Sequence, residues 1–137
     1  MSIKYFVPSV LWVILILFSL SLPPDKIPMP DLLVWKFMDK AIHFFLFFVF
    51  AILNCYGFIK QNNKSINLNS VFLFAIFLGV LFGIGTEYFQ QEFAVGRTKS
   101  VNDMLANIFG TLFGVTSWGL YLKINRNFFS VNKKSRK

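Results

Sequence analysis

Acidic, basic and amide side chains concentrate in residues 87–110, EYFQQEFAVGRTKSVNDMLANIFG, between two stretches that are almost entirely apolar. An ionisable side chain at the centre of a bilayer costs roughly 2.5–3.5 kcal/mol on insertion scales, so such residues need partners or a function. Glu87 is a candidate proton carrier, and Arg97 is suited to bidentate binding of a phosphate or carboxylate. This segment is therefore the first candidate for a functional site.

Helical spacing places these residues on common faces with others. Residues three, four, seven or eleven positions apart share one face of a helix. Three stripes result: Asp39 and His43; Gly79, Gly83, Glu87 and Gln90; and Asp103, Asn107, Gly110 and Gly114. The second and third stripes are polar at one end and carry only glycine at the other. Small residues of this kind let membrane helices approach closely, so we expect the four glycines to pack helices together.

The composition indicates that these helices lie in a membrane. Of 137 residues, 55% are hydrophobic and 15% are charged, and a spanning helix needs roughly 20 mostly apolar residues. Four stretches come close: about Tyr5–Leu22, about Ala41–Ile59, about Ser70–Phe89 and about Met104–Ile124. We predict one all-α domain over residues 1–137, an integral membrane bundle of four transmembrane helices.

The first apolar stretch has an alternative interpretation as a cleaved signal peptide. Lys4 precedes it, but Leu20, Ser21 and Leu22 lead into prolines without a small-residue cleavage pattern. A retained helix is the better prediction. The following segment, SLPPDKIPMPDLLVWKFMDK, holds four of the five prolines. We expect it to form an outer loop, with Trp35 and Phe37 at the membrane interface.

Positive charges orient the predicted bundle. With a cytoplasmic N-terminus, the Lys and Arg residues inside are Lys4, Lys60, Lys64, Lys123, Arg126, Lys133, Lys134, Arg136 and Lys137, against Lys26, Lys36, Lys40, Arg97 and Lys99 outside. This distribution favours cytoplasmic N- and C-termini. The net charge of +8 then belongs largely to a cytoplasmic collar, including a basic tail at about 123–137. These basic residues would face anionic lipid at the cytoplasmic surface, and we predict no nucleic-acid binding.

In this topology the polar ends of all three stripes lie at the outer level. The second span enters from outside at Asp39 and His43, the third leaves at Glu87, and the fourth re-enters at Asp103. The loop that carries Arg97 joins the last two spans. We therefore predict a buried, paired polar site that opens toward the outer face.

The motifs DKAIHFFLF, EYFQ and GRTKSVNDMLANIFGTLFG resemble the VanZ-like family of small bacterial membrane proteins, named for a teicoplanin-resistance protein. The resemblance covers about residues 39–114. It implies that the family positions are Asp39, Lys40, His43, Glu87, Gln90, Arg97, Asp103, Asn107, Gly110 and Gly114. It also implies a multi-pass protein of the bacterial cytoplasmic (inner) membrane with a role in the cell envelope and in glycopeptide susceptibility.

Several residues have structural explanations beside functional ones. Ser100-x-x-Asp103 before an apolar run has the form of a helix capping box. Lys40 is expected to extend to the outer interface, and Gln90 and Asn107 to hydrogen-bond between helices. A Glu87–Arg97 pair could simply hold the loop.

Metal binding and catalysis are separate questions. The chain has one histidine, which argues against a metal site, although an oxygen-rich site of Asp39, Glu87 and Asp103 remains an alternative. We predict no metal and no cofactor. The candidate catalytic residues are Glu87, His43 and Asp103, with proton transfer between His43 and Glu87 as the chemistry. Whether the protein is an enzyme stays open.

Two functions follow from these residues. In the first, the outer polar site binds or modifies an envelope lipid or glycolipid intermediate, with Arg97 holding an anionic headgroup. In the second, the protein is a non-catalytic structural or accessory membrane subunit whose polar residues only lock the helices.

Overall fold

The computed structural model describes residues 3–21, 32–61, 67–93 and 98–134, with side-chain positions for all of these except residues 32–36 and 126–134. A short 3-10 turn at Ile3–Tyr5 precedes four α-helices in the described ranges: α1 at Val7–Ser21, α2 at Leu32–Gln61, α3 at Leu68–Phe93 and α4 at Val101–Lys134. The prediction of an all-helical fold is confirmed for these parts of the chain.

Three of the four predicted spans have the length and apolar character that crossing a membrane requires. They are Phe37–Gln61 in α2, Leu68–Phe93 in α3 and Val101–Asn125 in α4. Helix α1 has only 15 residues, about 22 Å at 1.5 Å per residue, which is shorter than a self-sufficient span. A membrane protein built on these three apolar helices agrees with the composition.

The second helix begins earlier than the sequence analysis predicts. The prolines predict an outer loop that includes residues 32–40, but α2 starts at Leu32. The last proline of this segment is Pro30, and beyond it every residue has the N–H that a helix needs. The side chain of Phe37 is exposed, as expected at an interface. Residues 22–31 and the side chain of Trp35 lie outside the description.

Helix α1 packs along α2 and α3 and extends from one end of the bundle to the other. The ring of Phe6, just before α1, packs edge-on against Phe58 near the end of α2, with centroids 4.9 Å apart. At the other end, the Gln90 side-chain amide near the end of α3 donates to the Leu20 carbonyl at 3.1 Å. Helix α1 therefore runs parallel to α3 and antiparallel to α2.

The described interior contains two apolar clusters beside the polar stripes. The first comprises Ile16, Leu20, Leu46, Phe47 and Phe50, and the second Ala51, Cys55, Ala75 and Val115. Many large apolar side chains on the outside of the helices remain exposed. In water such a surface would aggregate, whereas in a bilayer it faces lipid.

Candidate functional site

The polar ends of the three stripes meet at one end of the bundle. His43 of α2, Glu87 and Gln90 of α3, and Asp103 and Asn107 of α4 are all buried there. We call His43, Glu87, Asp103 and Asn107, with the half-buried Asp39 and Lys40 beside them, the polar cluster. Arg97 lies outside the described residues, so its predicted position is untested.

Asn107 connects α4 to both neighbouring helices. Its Nδ2 donates to the Gly83 carbonyl of α3 at 3.1 Å, and its Oδ1 lies 3.0 Å from Nδ1 of His43 on α2. Because a carbonyl can only accept, the first bond orients the amide, and Oδ1 must then accept from the imidazole. Nδ1 of His43 therefore carries the proton, and a neutral ring has its lone pair on Nε2.

Glu87 closes the N-terminus of α4 from the adjacent helix. Ser100 precedes α4, and its Oγ accepts the N–H of Asp103 at 3.3 Å, which is one half of the capping box that the sequence predicts. The reciprocal half differs, because the Ser100 N–H donates to Oε2 of Glu87 at 3.1 Å. In a capping box the Asp103 side chain would accept this N–H. Because Glu87 accepts it here, the Asp103 carboxylate can interact with another partner.

That partner is Lys40. Its Nζ lies 3.5 Å from Oδ1 of Asp103, so the lysine turns toward the cluster and is not simply extended to the interface as predicted. The other carboxylate, Glu87, has Oε1 at 3.5 Å from Nδ1 of His43. The histidine and the glutamate are close enough to exchange a proton after a small side-chain shift. A proton-transfer role for this pair stays a prediction.

Gln90 binds a different part of the bundle from its neighbours in the stripe. Its bond to the Leu20 carbonyl anchors the end of α1, where helix carbonyls have no partner within the helix. Sequence reasoning predicted an interhelical bond for Gln90 but gave no reason to choose α1 over the other helices.

Two buried threonines belong to this region and were missed by the sequence analysis. The Thr86 hydroxyl accepts from Nδ2 of Asn107 at 3.5 Å and donates to the Gly83 carbonyl at 2.9 Å. Thr111 bonds back to the Asn107 carbonyl and faces Gly79. Their positions in the sequence indicate this role, because Thr86 adjoins Glu87 and Thr111 follows Asn107 by one helical turn.

The four glycines of the stripes lie where helices come closest. A Cβ added at Gly110 or Gly114 would overlap the backbone carbonyl of Phe44 or Phe48, and one at Gly83 would lie 2.8 Å from the Cβ of Asn107. A Cβ at Gly79 would overlap the Thr111 side chain. These contacts place α2, α3 and α4 close enough for the polar cluster to form.

Three buried atoms of the polar cluster have no hydrogen-bond partner among the described residues. They are Nε2 of His43, Oε1 of Glu87 and Oδ1 of Asp103. In addition, one potential ligand atom from each of Asp39, His43 and Asp103 lies within 4.8 Å of the other two. Buried polar groups are normally paired, so this cluster has unused capacity to bind a ligand.

No protein-family model, no curated protein and no solved structure matches this chain. The chemistry of the polar cluster is therefore the basis on which its function can be argued.

Proposed function

We propose that this chain is a VanZ-like protein of the bacterial cytoplasmic membrane whose polar cluster binds the anionic headgroup of an envelope lipid or glycolipid. Binding would lower susceptibility to the glycopeptide teicoplanin. The motif resemblance supports the family, and the charge distribution supports an outward-facing cluster. Arg97 on the adjoining loop would grip the headgroup, because a guanidinium binds phosphate or carboxylate through two hydrogen bonds.

The observation that carries the binding role is the set of buried atoms on His43, Glu87 and Asp103 that have no hydrogen bond among the described residues. If the cluster served only to hold the helices together, we would expect these atoms to have hydrogen-bond partners. Each buried polar group without a hydrogen bond costs about 1–3 kcal/mol of stability. A bound headgroup with its hydroxyls could pair them. The exposed outer part of Lys40 supplies a second cation at the entrance.

The second candidate function, a structural or accessory subunit, is favoured by a different observation. Asn107 joins three helices and Gln90 holds the end of α1. Under this alternative, loss of any polar residue would lower the amount of folded protein, and any phenotype would decline in proportion.

Teicoplanin susceptibility of a Gram-positive host separates the two candidates. The host would carry wild type, Glu87→Gln, Arg97→Ala or, as a control, Glu92→Gln, whose side chain is exposed. Glutamine at position 87 removes the charge but keeps an oxygen to accept the Ser100 N–H. We expect wild type and Glu92→Gln to lower susceptibility and the other two to fail at matched membrane levels.

The other outcomes have definite meanings. A phenotype that follows membrane abundance supports the structural subunit. Four strains equal to the empty host remove the glycopeptide role. Native mass spectrometry with added phosphatidylglycerol or phosphatidylcholine then tests headgroup binding itself, with selective retention of the anionic lipid expected for wild type and its loss expected for Arg97→Ala.

A further inference from the structure

Asp39, His43 and Asp103 together form a set of potential metal ligands, a role that neither proposed function gives them. Asp39 and His43 lie one turn apart on α2, and Asp103 lies in the first turn of α4. One oxygen or ring nitrogen from each lies within 4.8 Å of the others. Metal–oxygen and metal–nitrogen bonds of about 2.0–2.2 Å put the ligands of one ion within about 4.4 Å of each other. Small side-chain shifts would therefore be enough to bring all three onto one ion.

The tautomer of His43 supplies an independent indication of a cation. The Asn107 amide holds the proton on Nδ1, so Nε2 offers a lone pair. The histidine is fully buried, and no described residue donates to Nε2. This is the arrangement found in metal sites, where the second ring nitrogen donates to an oxygen and orients the ring. Here that oxygen is Oδ1 of Asn107, which accepts from Nδ1 of His43.

The charges of the cluster point the same way. Asp39, Glu87 and Asp103 bring three acidic groups together in the cluster, and Lys40 pairs with Asp103. Negative charge in a region of low dielectric is costly. A divalent cation would offset such charge, and it would also give an anionic headgroup a favourable place to bind.

We propose that Asp39, Asp103 and Nε2 of His43 bind one divalent transition-metal ion of the Zn²⁺ or Mn²⁺ kind. The imidazole favours Zn²⁺, the two carboxylates also suit Mn²⁺, and Ca²⁺ and Mg²⁺ prefer oxygen ligands alone. Lys40 is the internal counter-ion of Asp103 when the metal is absent, and it moves away when the metal binds. Asp39 is the most exposed of the three proposed ligands.

This site replaces the metal-free prediction of the sequence analysis, which rested on the single histidine. It does not depend on headgroup binding, because the ligand atoms and the tautomer argument involve only α2 and α4 and their contact to α3. The two proposals can fail separately.

The first test is equilibrium dialysis of the EDTA-treated full-length protein in detergent against Zn²⁺ and, separately, Mn²⁺. We expect one ion per chain, not displaced by excess Ca²⁺ or Mg²⁺.

Loss of a ligand in Asp103→Asn or in Asp39→Asn should weaken metal binding by at least roughly tenfold, since even changes to residues that only contact the ligands cost that much. Lys40→Gln should strengthen it several-fold, because a competing positive charge is gone. Glu92→Gln should bind as wild type does.

The single histidine allows a second test that a merely structural role would not satisfy. In protein labelled with [¹⁵N]histidine, the chain gives one imidazole signal set. Added Zn²⁺ should move the Nε2 resonance strongly while Nδ1 keeps its proton. Wild type that binds no stoichiometric ion overturns the proposal. So do ligand variants that fold and bind as wild type does, or an Nδ1 that responds in place of Nε2.

Discussion

At the scale of single residues, Asn107 determines the chemistry of the polar cluster. It donates to the Gly83 carbonyl and accepts from His43, so one amide sets the spacing of three helices and the tautomer of the histidine. Asn54 is a useful contrast. It is also buried, but its Nδ2 donates to the Phe50 carbonyl within its own helix. Two asparagines that look alike in sequence thus have different roles.

We predict that Asn107→Ala lowers the free energy of unfolding by about 2 kcal/mol, because the buried Nδ1–H of His43 loses its hydrogen bond to Oδ1 of Asn107. Asn54→Ala, the matched control, should change it by less than about half that amount, since the carbonyl it leaves is already bonded within the helix. SDS-induced unfolding of the protein in mixed micelles, followed by circular dichroism, measures both. Equal effects of the two substitutions would contradict the connecting role of Asn107.

At the scale of elements, the contact between α2 and α4 governs whether the cluster can form. Gly110 and Gly114 of α4 lie against the backbone carbonyls of Phe44 and Phe48 of α2. Backbone cannot move aside as a flexible side chain can, so any added atom must push the helices apart. His43 and Asp39 on α2 would then move away from Asp103 and Asn107 on α4.

We expect Gly110→Ala to destabilise the protein by about 1–3 kcal/mol, the usual cost of overpacking, and to weaken metal binding at the same time. Gly85→Ala is the control on α3, because nothing lies within 4 Å of a Cβ there. It should be neutral or slightly stabilising, since alanine favours helix over glycine. The same micelle titration decides the matter, and a Gly110→Ala protein as stable as wild type would show that the two helices are not in close contact.

At the scale of the whole molecule, the bundle has an acidic end and a basic end. Asp39, Glu87 and Asp103 lie at the first, together with the end of α1. Lys4 precedes α1 at the opposite end, and Lys60 lies in the last turn of α2. Helix α1 is short for a span, but Phe6 just before it contacts Phe58 near the end of α2, and Leu20 near its own end accepts from Gln90 near the end of α3.

This packing leads to a prediction about topology. If α1 crosses the membrane with the other three helices, both termini lie on one side, and the positive-inside rule places them in the cytoplasm. Reporter fusions at the N-terminus and at the C-terminus should both give cytoplasmic signals. A fusion inserted after Lys99, beside the acidic end, is the control and should be external. Termini on opposite sides would mean that α1 does not cross.

The sequence by itself determined the class of the fold and most of the polar stripes. Apolar runs and 3.6-residue periodicity are local properties, so the helices α2, α3 and α4 and the shared faces of Glu87 with Gln90 and of Asp103 with Asn107 could be predicted. The start of α2 differs from the prediction, because the four prolines up to Pro30 indicate a loop, whereas the residues after Pro30 can all form helix.

Only the tertiary structure decided which polar groups are partners. Periodicity gives the face on which a residue lies but not its depth, rotation or nearest neighbour on another helix. The capping role of Glu87, the bond from Gln90 to α1 and the Lys40–Asp103 pair all depend on those three quantities. The free lone pair of His43 does as well, because an imidazole tautomer is set by a hydrogen bond between residues 64 positions apart.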